Sequence, residues 1–346
     1  MTLMRQPVEG DAVTLQLQLD AGDALFASTD AAGPGARNGS EAVLARTLLA
    51  SYGALGVQAM AMGAYDLRLG ALWAIEEAKK AGVAALSANL RLGTGWAPGS
   101  RVLSSGTDTV GVVALTLPTQ ATAAALQAAG VDAEAAQERY AVEAARVTAA
   151  GAKAIVLLVA GGTEPARSFV AGLQAARLPL PVLVLSSGSL QLTGDPLWAG
   201  PTPVLEAGDE GKTLLRTDLF VTGEQWHPAP EGGALLDGVR RYMTLIRSHQ
   251  NAGLALLSGK SPREQGDLGA NAAAVLHEAD VLSRELAAGA RAAQAPQHGS
   301  VLRNRVVPIS PNTAEDAAMK QRIDDAKLAV ERSERGSASI KNGKTR

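Results

Sequence analysis

The chain of 346 residues contains no cysteine, which excludes disulfides, thiolate metal ligands, a thiol nucleophile and a lipid-bearing N-terminal Cys in the sequence as it stands. Aromatics are scarce at 3%, so the core has to be assembled from Leu, Val and Ala, which the 47% hydrophobic content supplies. No excess of either charge exists: 32 Lys and Arg face 34 Asp and Glu, a net −2. That balance gives no basic field for nucleic acid or an acidic membrane surface. No uninterrupted apolar run reaches the roughly 18 residues a membrane span requires. Met1 to Val13 lacks the apolar stretch of an export signal.

What is present is an alternation of short apolar runs and Ala-rich helical segments as far as Gly223. Strands are expected at Thr14–Leu19, Val57–Met62, Val83–Ser87, Val110–Leu115, Ala154–Val159, Val182–Leu185, Pro203–Glu206 and Thr213–Phe220. Helices are expected at Glu41–Leu55 with Ser40 as N-cap, Leu69–Ala81 closed by Gly82, Ala133–Ala149 and Ser168–Ala176. The pattern predicts an α/β fold with a buried sheet covered by helices. After Pro228 the periodicity becomes helical, at Leu235–Leu257, Asp267–Ala293 and Ala314–Arg335. The expected organisation is a domain over 1–228, a helical extension over 229–335 and a disordered polar tail over 336–346.

Several polar loops follow expected strands. Asp20-Ala-Gly-Asp23 follows the first, Gly63-Ala-Tyr-Asp66 the second, and Gly161-Gly-Thr163 the fifth. Ser186, Ser187 and Ser189 follow the sixth. The order and spacing of these segments over 14–222 resemble the calcineurin-like metallophosphoesterases, in particular the catalytic domain of bacterial 5'-nucleotidases. Val306–Pro311 and the helix after it resemble the end of bacterial members. The resemblance implies an α/β/β/α sandwich with mixed sheets, here followed by the helical extension. It also implies a phosphoric ester hydrolase acting on 5'-nucleotides through a pair of divalent cations (Mn, Zn or Mg) about 3.5–4 Å apart. It further implies an exported or periplasmic protein.

The ligands of that family are largely replaced here. The Asp-x-His of the family's first strand has no counterpart in the sequence as given. Asp23 matches the bridging Asp. Ala64 stands where the Asn ligand belongs, and Tyr65 stands for the His that stabilises charge on the phosphate. Asp66, which would orient that His, is retained. Ala160 replaces the His after the buried strand, and Gly188 and Leu190 replace the pair around Ser189. Asp23 is thus the sole remnant ligand, and alanine, glycine and leucine donate no electron pair to a cation. The sequence therefore predicts a catalytically degenerate member with no cofactor, serving as a binding or structural module. An active metal-dependent phosphohydrolase is the alternative. Its partner would be a protein or a small phosphate-containing ligand.

Other residues carry a second reading each. Gly161, Gly162 and Thr163 open a helix, so they are either an anion-binding turn or a tight strand-to-helix connection. Asp23 and Asp66 are either an acid/base pair or loop-capping carboxylates. Asp209 reads as a turn residue between Gly208 and Gly211. His227, His249, His277 and His298 all lie after the expected sheet, and none follows a core strand. No Gly-x-Ser-x-Gly elbow surrounds the serines.

Overall fold

A computed structural model of the chain describes residues 15–30, 36–189, 192–193, 195–208, 213–220, 301–308 and 317–343. The elements run β1 (Leu19–Asp20), α1 (Ser40–Leu55), β2 (Ala59–Ala61), α2 (Ala71–Lys80), β3 (Ala84–Leu86), β4 (Leu90–Leu92) and β5 (Gly95–Trp96). They continue with β6 (Ser100–Ser105), β7 (Asp108–Thr116), α3 (Gln120–Ala128), β8 (Asp132–Ala133), α4 (Ala136–Ala149), β9 (Ala154–Ala160) and α5 (Thr163–Ala175). The last are β10 (Leu183–Ser187), β11 (Leu197–Ala199), β12 (Thr202–Glu206), β13 (Thr213–Phe220), β14 (Val301–Pro308) and α6 (Ala317–Gly343).

Two sheets face each other. One is parallel and three-stranded, in the order β1-β2-β3. The other has six strands in the order β11-β12-β10-β9-β7-β6, with parallel pairs at its centre and antiparallel β11 and β6 at its edges. Every residue of β9, Ala-Ile-Val-Leu-Leu-Val-Ala, is buried, because this central parallel strand is covered on both faces. Its Ile155, Leu157 and Val159 pack with Tyr140, Val147, Val170 and Leu173 of α4 and α5. Its opposite face meets the smaller sheet, where β2 packs on β7 and β9. On the far side of that smaller sheet, Leu49, Trp73, Ala74 and Ala78 of α1 and α2 share a core with Met60, Met62 and Met319. The layers are α/β/β/α, as the resemblance implies. Thr116 Oγ1 ties the sheets together by donating to the Met62 carbonyl at 2.6 Å.

Local chemistry moves several boundaries. Gly39, not Ser40, is the N-cap of α1; Ser40 is its first helical residue. The first strand shortens to two residues, since the Gln58 side chain takes the Gln18 amide at 2.6 Å. The helix α5 starts at Thr163, five residues ahead of expectation, with Pro165 in its first turn, where a missing N–H leaves no gap. The hairpin strands β4, β5, β6 and β8 were not anticipated; they are short, glycine-flanked or polar.

The chain divides into two compact units, 1–218 with 304–346, and Leu219–Arg303. The division differs from the expected boundary at 228. Strands β13 and β14 pair, and within the first unit Thr217 Oγ1 donates to Asn304 Oδ1 at 3.0 Å. A β-strand therefore lies inside the segment read as a helical extension; its β-branched Val306 and Val307 suit a ladder. The helix α6 continues to Gly343, into the expected polar tail, since each residue added to an established helix gains a hydrogen bond. The expected helices at 235–257 and 267–293, Asp209, Leu190 and all four histidines lie outside the described residues. Among the described residues no helix is long and apolar enough to cross a membrane.

Candidate functional site

The loops after β1, β2, β9, β10 and β12 converge at the carboxyl ends of their strands, and Asp23 stands among them. The first loop is folded by Asp20, whose Oδ1 accepts the Gly22 amide at 2.7 Å in an Asx turn. Gly22 has φ +94°, and a Cβ there would lie 2.7 Å from the Ala61 carbonyl oxygen, so only glycine fits. Asp23 itself is left-handed at φ 61°, a conformation Asp tolerates better than most residues.

Asp66 holds this loop to the next. It is 0% exposed, and its two oxygens accept four backbone amides. Oδ2 takes Gly63 and Asp23 at 2.8 Å each, while Oδ1 takes Ala24 at 2.9 Å and Leu25 at 3.0 Å. Burial, and after it the neighbouring Asp23 charge, push its carboxyl up to about 7 against the pull of those amides. Of the two readings of the Asp23–Asp66 pair, loop-capping describes Asp66: its contact with Asp23 is to the backbone amide.

The Asp23 carboxylate is engaged from two sides. Oδ1 accepts the Tyr65 amide at 3.2 Å, and Oδ2 accepts the Ser187 hydroxyl at 3.2 Å. Ser187 Oγ also lies 2.8 Å from the Ala21 carbonyl, so one hydroxyl proton serves two acceptors. Burial raises the Asp23 carboxyl above its ordinary range, the Tyr65 and Ser187 contacts lower it, and the Asp20 and Glu206 charges raise it further. Asp20 is raised chiefly by burial too, and receives the Tyr52 hydroxyl at 2.6 Å. Burial and then that carboxylate drive the Tyr52 hydroxyl strongly upward.

The structure places Asp23, Tyr65 and Asp66 side by side, with Tyr65 contributing its backbone amide. The sequence offered Gly161, Gly162 and Thr163 as either an anion-binding turn or a tight strand-to-helix connection. The amides of Gly161 and Gly162 both donate to the Ser187 carbonyl, at 2.9 and 2.6 Å, as a tight connection between loops does. Thr163, the third member of that turn, is buried at the start of α5. Glu206, buried at the end of β12, was missed. It accepts the Ser189 amide at 2.9 Å and the Ser189 hydroxyl at 2.5 Å. The available signal was a single acid closing the apolar run Thr-Pro-Val-Leu-Glu. Tyr52 and Asp20 gave no sequence signal of pairing across 32 positions.

Among the described residues, the surroundings of Asp23 do not suit a dinuclear metal centre. A Cβ on Gly63 would sit 2.0 Å from Asp23 Oδ1, and one on Gly188 would sit 3.2 Å from Oδ2. Ala64 and Ala160, at two positions where the resemblance implied ligands, are buried and carry no donor. Gly188, at a third, has φ +102°, a conformation that a histidine would occupy only with strain. Among the described residues no group of three or more His, Asp or Glu is placed to hold a metal ion.

No family model matches the chain, and no curated protein matches it. Among solved structures it is similar to the calcineurin-like phosphoesterase YfkN from Bacillus subtilis at 13% identity, covering 92% of this chain and 85% of that one, with a TM-score of 0.55. It is also similar to the sulfate thiohydrolase SoxB from Thermus thermophilus, at 23% identity over 59% of this chain and 35% of that one, TM-score 0.48. A putative 5'-nucleotidase from Staphylococcus aureus is a third, at 18% identity over 60% of this chain and 42% of that one, TM-score 0.44. The chain spans less than half the length of each of these last two.

Proposed function

For this chain, which has the calcineurin-like phosphoesterase fold, we propose a non-catalytic role: a 5'-nucleotidase-like domain that serves as a binding or structural module. One observation carries the reading. The retained carboxylate, Asp23, is satisfied by the Tyr65 amide and the Ser187 hydroxyl, while glycine and alanine stand where cations would need donors. Divalent cations require several oxygen or imidazole ligands in fixed geometry to replace their water. The engagement of the Gly161 and Gly162 amides within the fold argues against phosphate as the ligand and favours a protein partner.

The test is metal content and turnover of the full chain. Metal analysis after equilibration with Mn²⁺ or Zn²⁺, and calorimetric titration with each, are expected to show no stoichiometric uptake. AMP and p-nitrophenyl phosphate are expected to survive prolonged incubation. Uptake of two cations per chain, with AMP hydrolysis abolished by Asp23→Asn, would establish an active phosphohydrolase instead.

A further inference from the structure

The outer edge of β3 carries backbone groups that have no partner among the described residues and that border a cleft. Ala84 donates to the Gln58 carbonyl and Leu86 accepts the Met62 amide, so these two residues face β2. By the alternation of a strand, Ala85 and its neighbours Val83 and Ser87 point the opposite way. Val83 N–H is taken by the Ala78 carbonyl at 2.9 Å, and Ser87 N–H by the Pro98 carbonyl at 2.7 Å. Between them, the Ala85 N–H and C=O and the Val83 C=O have no hydrogen-bond partner among the described residues. Ala85 is nonetheless only 5% exposed. Its outward backbone groups face a cleft rather than packed protein, which leaves them available to an incoming strand.

A cleft of about 340 Å³ lies along this edge. Its walls are largely apolar: Val83, Ala85 and Leu86 on one side, Ile75 of α2 and Pro98 on the others. Two cationic residues, Lys79 and Arg101, also line it. Arg101 spends one nitrogen on the Gln58 carbonyl at 2.8 Å, which leaves other guanidinium donors, and the Lys79 ammonium has no partner among the described residues. Gly82, with open space around its Cβ position, borders the cleft and leaves it clear. At its other end the Pro98 carbonyl bonds Ser87, so the edge already accepts one carbonyl from outside its own sheet.

We propose that this cleft receives a short extended segment of a partner protein, which adds as a strand to β3. The segment would place a small apolar side chain between Ile75 and Pro98 and an acidic side chain against Lys79 and Arg101. Main-chain pairing with Ala85 and Val83 would supply attachment, and the apolar pocket and the two cations would supply selectivity, as in strand addition generally. The three-residue length of β3 limits the paired stretch, which keeps the edge from pairing with another copy along a long ladder. The Asp23 loops contribute nothing to the cleft, so strand addition here stands or falls independently of the proposed non-catalytic role.

The test uses the full chain and a labelled, blocked peptide, acetyl-Thr-Val-Asp-Val-Thr-amide, followed by fluorescence anisotropy and by hydrogen exchange of segment 83–87. N-methylation of alternate peptide amides is the discriminating change. Methylation on the edge that pairs with β3 should weaken binding about tenfold, while methylation on the outward edge should leave it unchanged. Replacing the peptide Asp by Asn, or Lys79→Gln in the protein, should weaken it about two- to fivefold. Exchange within 83–87 should slow when the peptide is bound. Binding that ignores N-methylation, or no saturable binding at millimolar peptide, overturns the proposal.

Discussion

Gly63→Ala probes how the Asp23 loop is locked. The backbone there has φ −99°, so an alanine is not strained by its dihedral. The obstacle is contact: its Cβ would fall 2.0 Å from Asp23 Oδ1 and 2.4 Å from Asp23 Cγ. The carboxylate would have to rotate away, giving up the Tyr65 amide and the Ser187 hydroxyl. Leaving those groups unpaired costs about 1–3 kcal/mol each, and residual overpacking adds about 1 kcal/mol. We expect the lower end of that range, a loss of about 3 kcal/mol, because both orphaned groups lie in a part-buried loop; this is roughly 6–12 °C in Tm at 2–4 °C per kcal/mol. The control is the cycle with Asp23→Ala, measured by calorimetry and urea unfolding. In that background the space is vacant, so adding Gly63→Ala should cost less than about 1 kcal/mol, leaving a coupling near 2 kcal/mol. Equal costs in the two backgrounds would show that Asp23 does not fill the space beside Gly63.

Asp66→Ala orphans four amides at once and should lower stability by about 4 kcal/mol or more, seen as early, broadened urea unfolding. Tyr52→Phe removes the 2.6 Å bond to Asp20 and should cost about 1–3 kcal/mol in the same assay; an unchanged midpoint would contradict the pairing. Thr116→Val cuts the tie between the sheets at Met62 and leaves that carbonyl and Ser87 short of a partner, for about 1–3 kcal/mol. Asp20, Asp23 and Asp66 are all raised by burial, the last to about 7. Raised acids hold protons in the folded chain that the unfolded chain has released. Their stabilisation is therefore complete below about pH 4 and is lost as pH rises through the folded values. From this cluster Tm should fall between pH 5 and pH 8, and the fall should shrink in Asp20→Asn.

The layered fold was legible because its central strands are marked by composition. A run such as Ala154–Ala160 is buried on both faces and announces itself as an apolar stretch of strand length. The smaller elements were not: β5 is Gly95–Trp96, and two residues carry no period. The start of α5 was not legible because Gly161, Gly162 and Thr163 read as a turn; Thr163 opens the helix, and Pro165 sits in its first turn, where proline fits. In the site, loop order placed Asp23 beside Tyr65 and Asp66. Which atoms would meet was invisible, because Tyr65 acts through its amide and Asp66 through four amides of two loops.

That distinction separates what this chain has kept from what it lacks. Asp66 is useful without any metal, since its two oxygens close the loops after β1 and β2. Asp23 is useful in the same way, accepting Tyr65 and Ser187. Each retained acid thus has a structural partner, so loss of either would cost stability whether or not chemistry occurs there. The positions that resemble ligand sites but hold Ala64, Ala160 and Gly188 carry side chains with no hydrogen-bonding atom. Their replacement leaves no unsatisfied group behind. Asp23 and Asp66 both have work in the fold, so their presence is by itself no argument for catalysis.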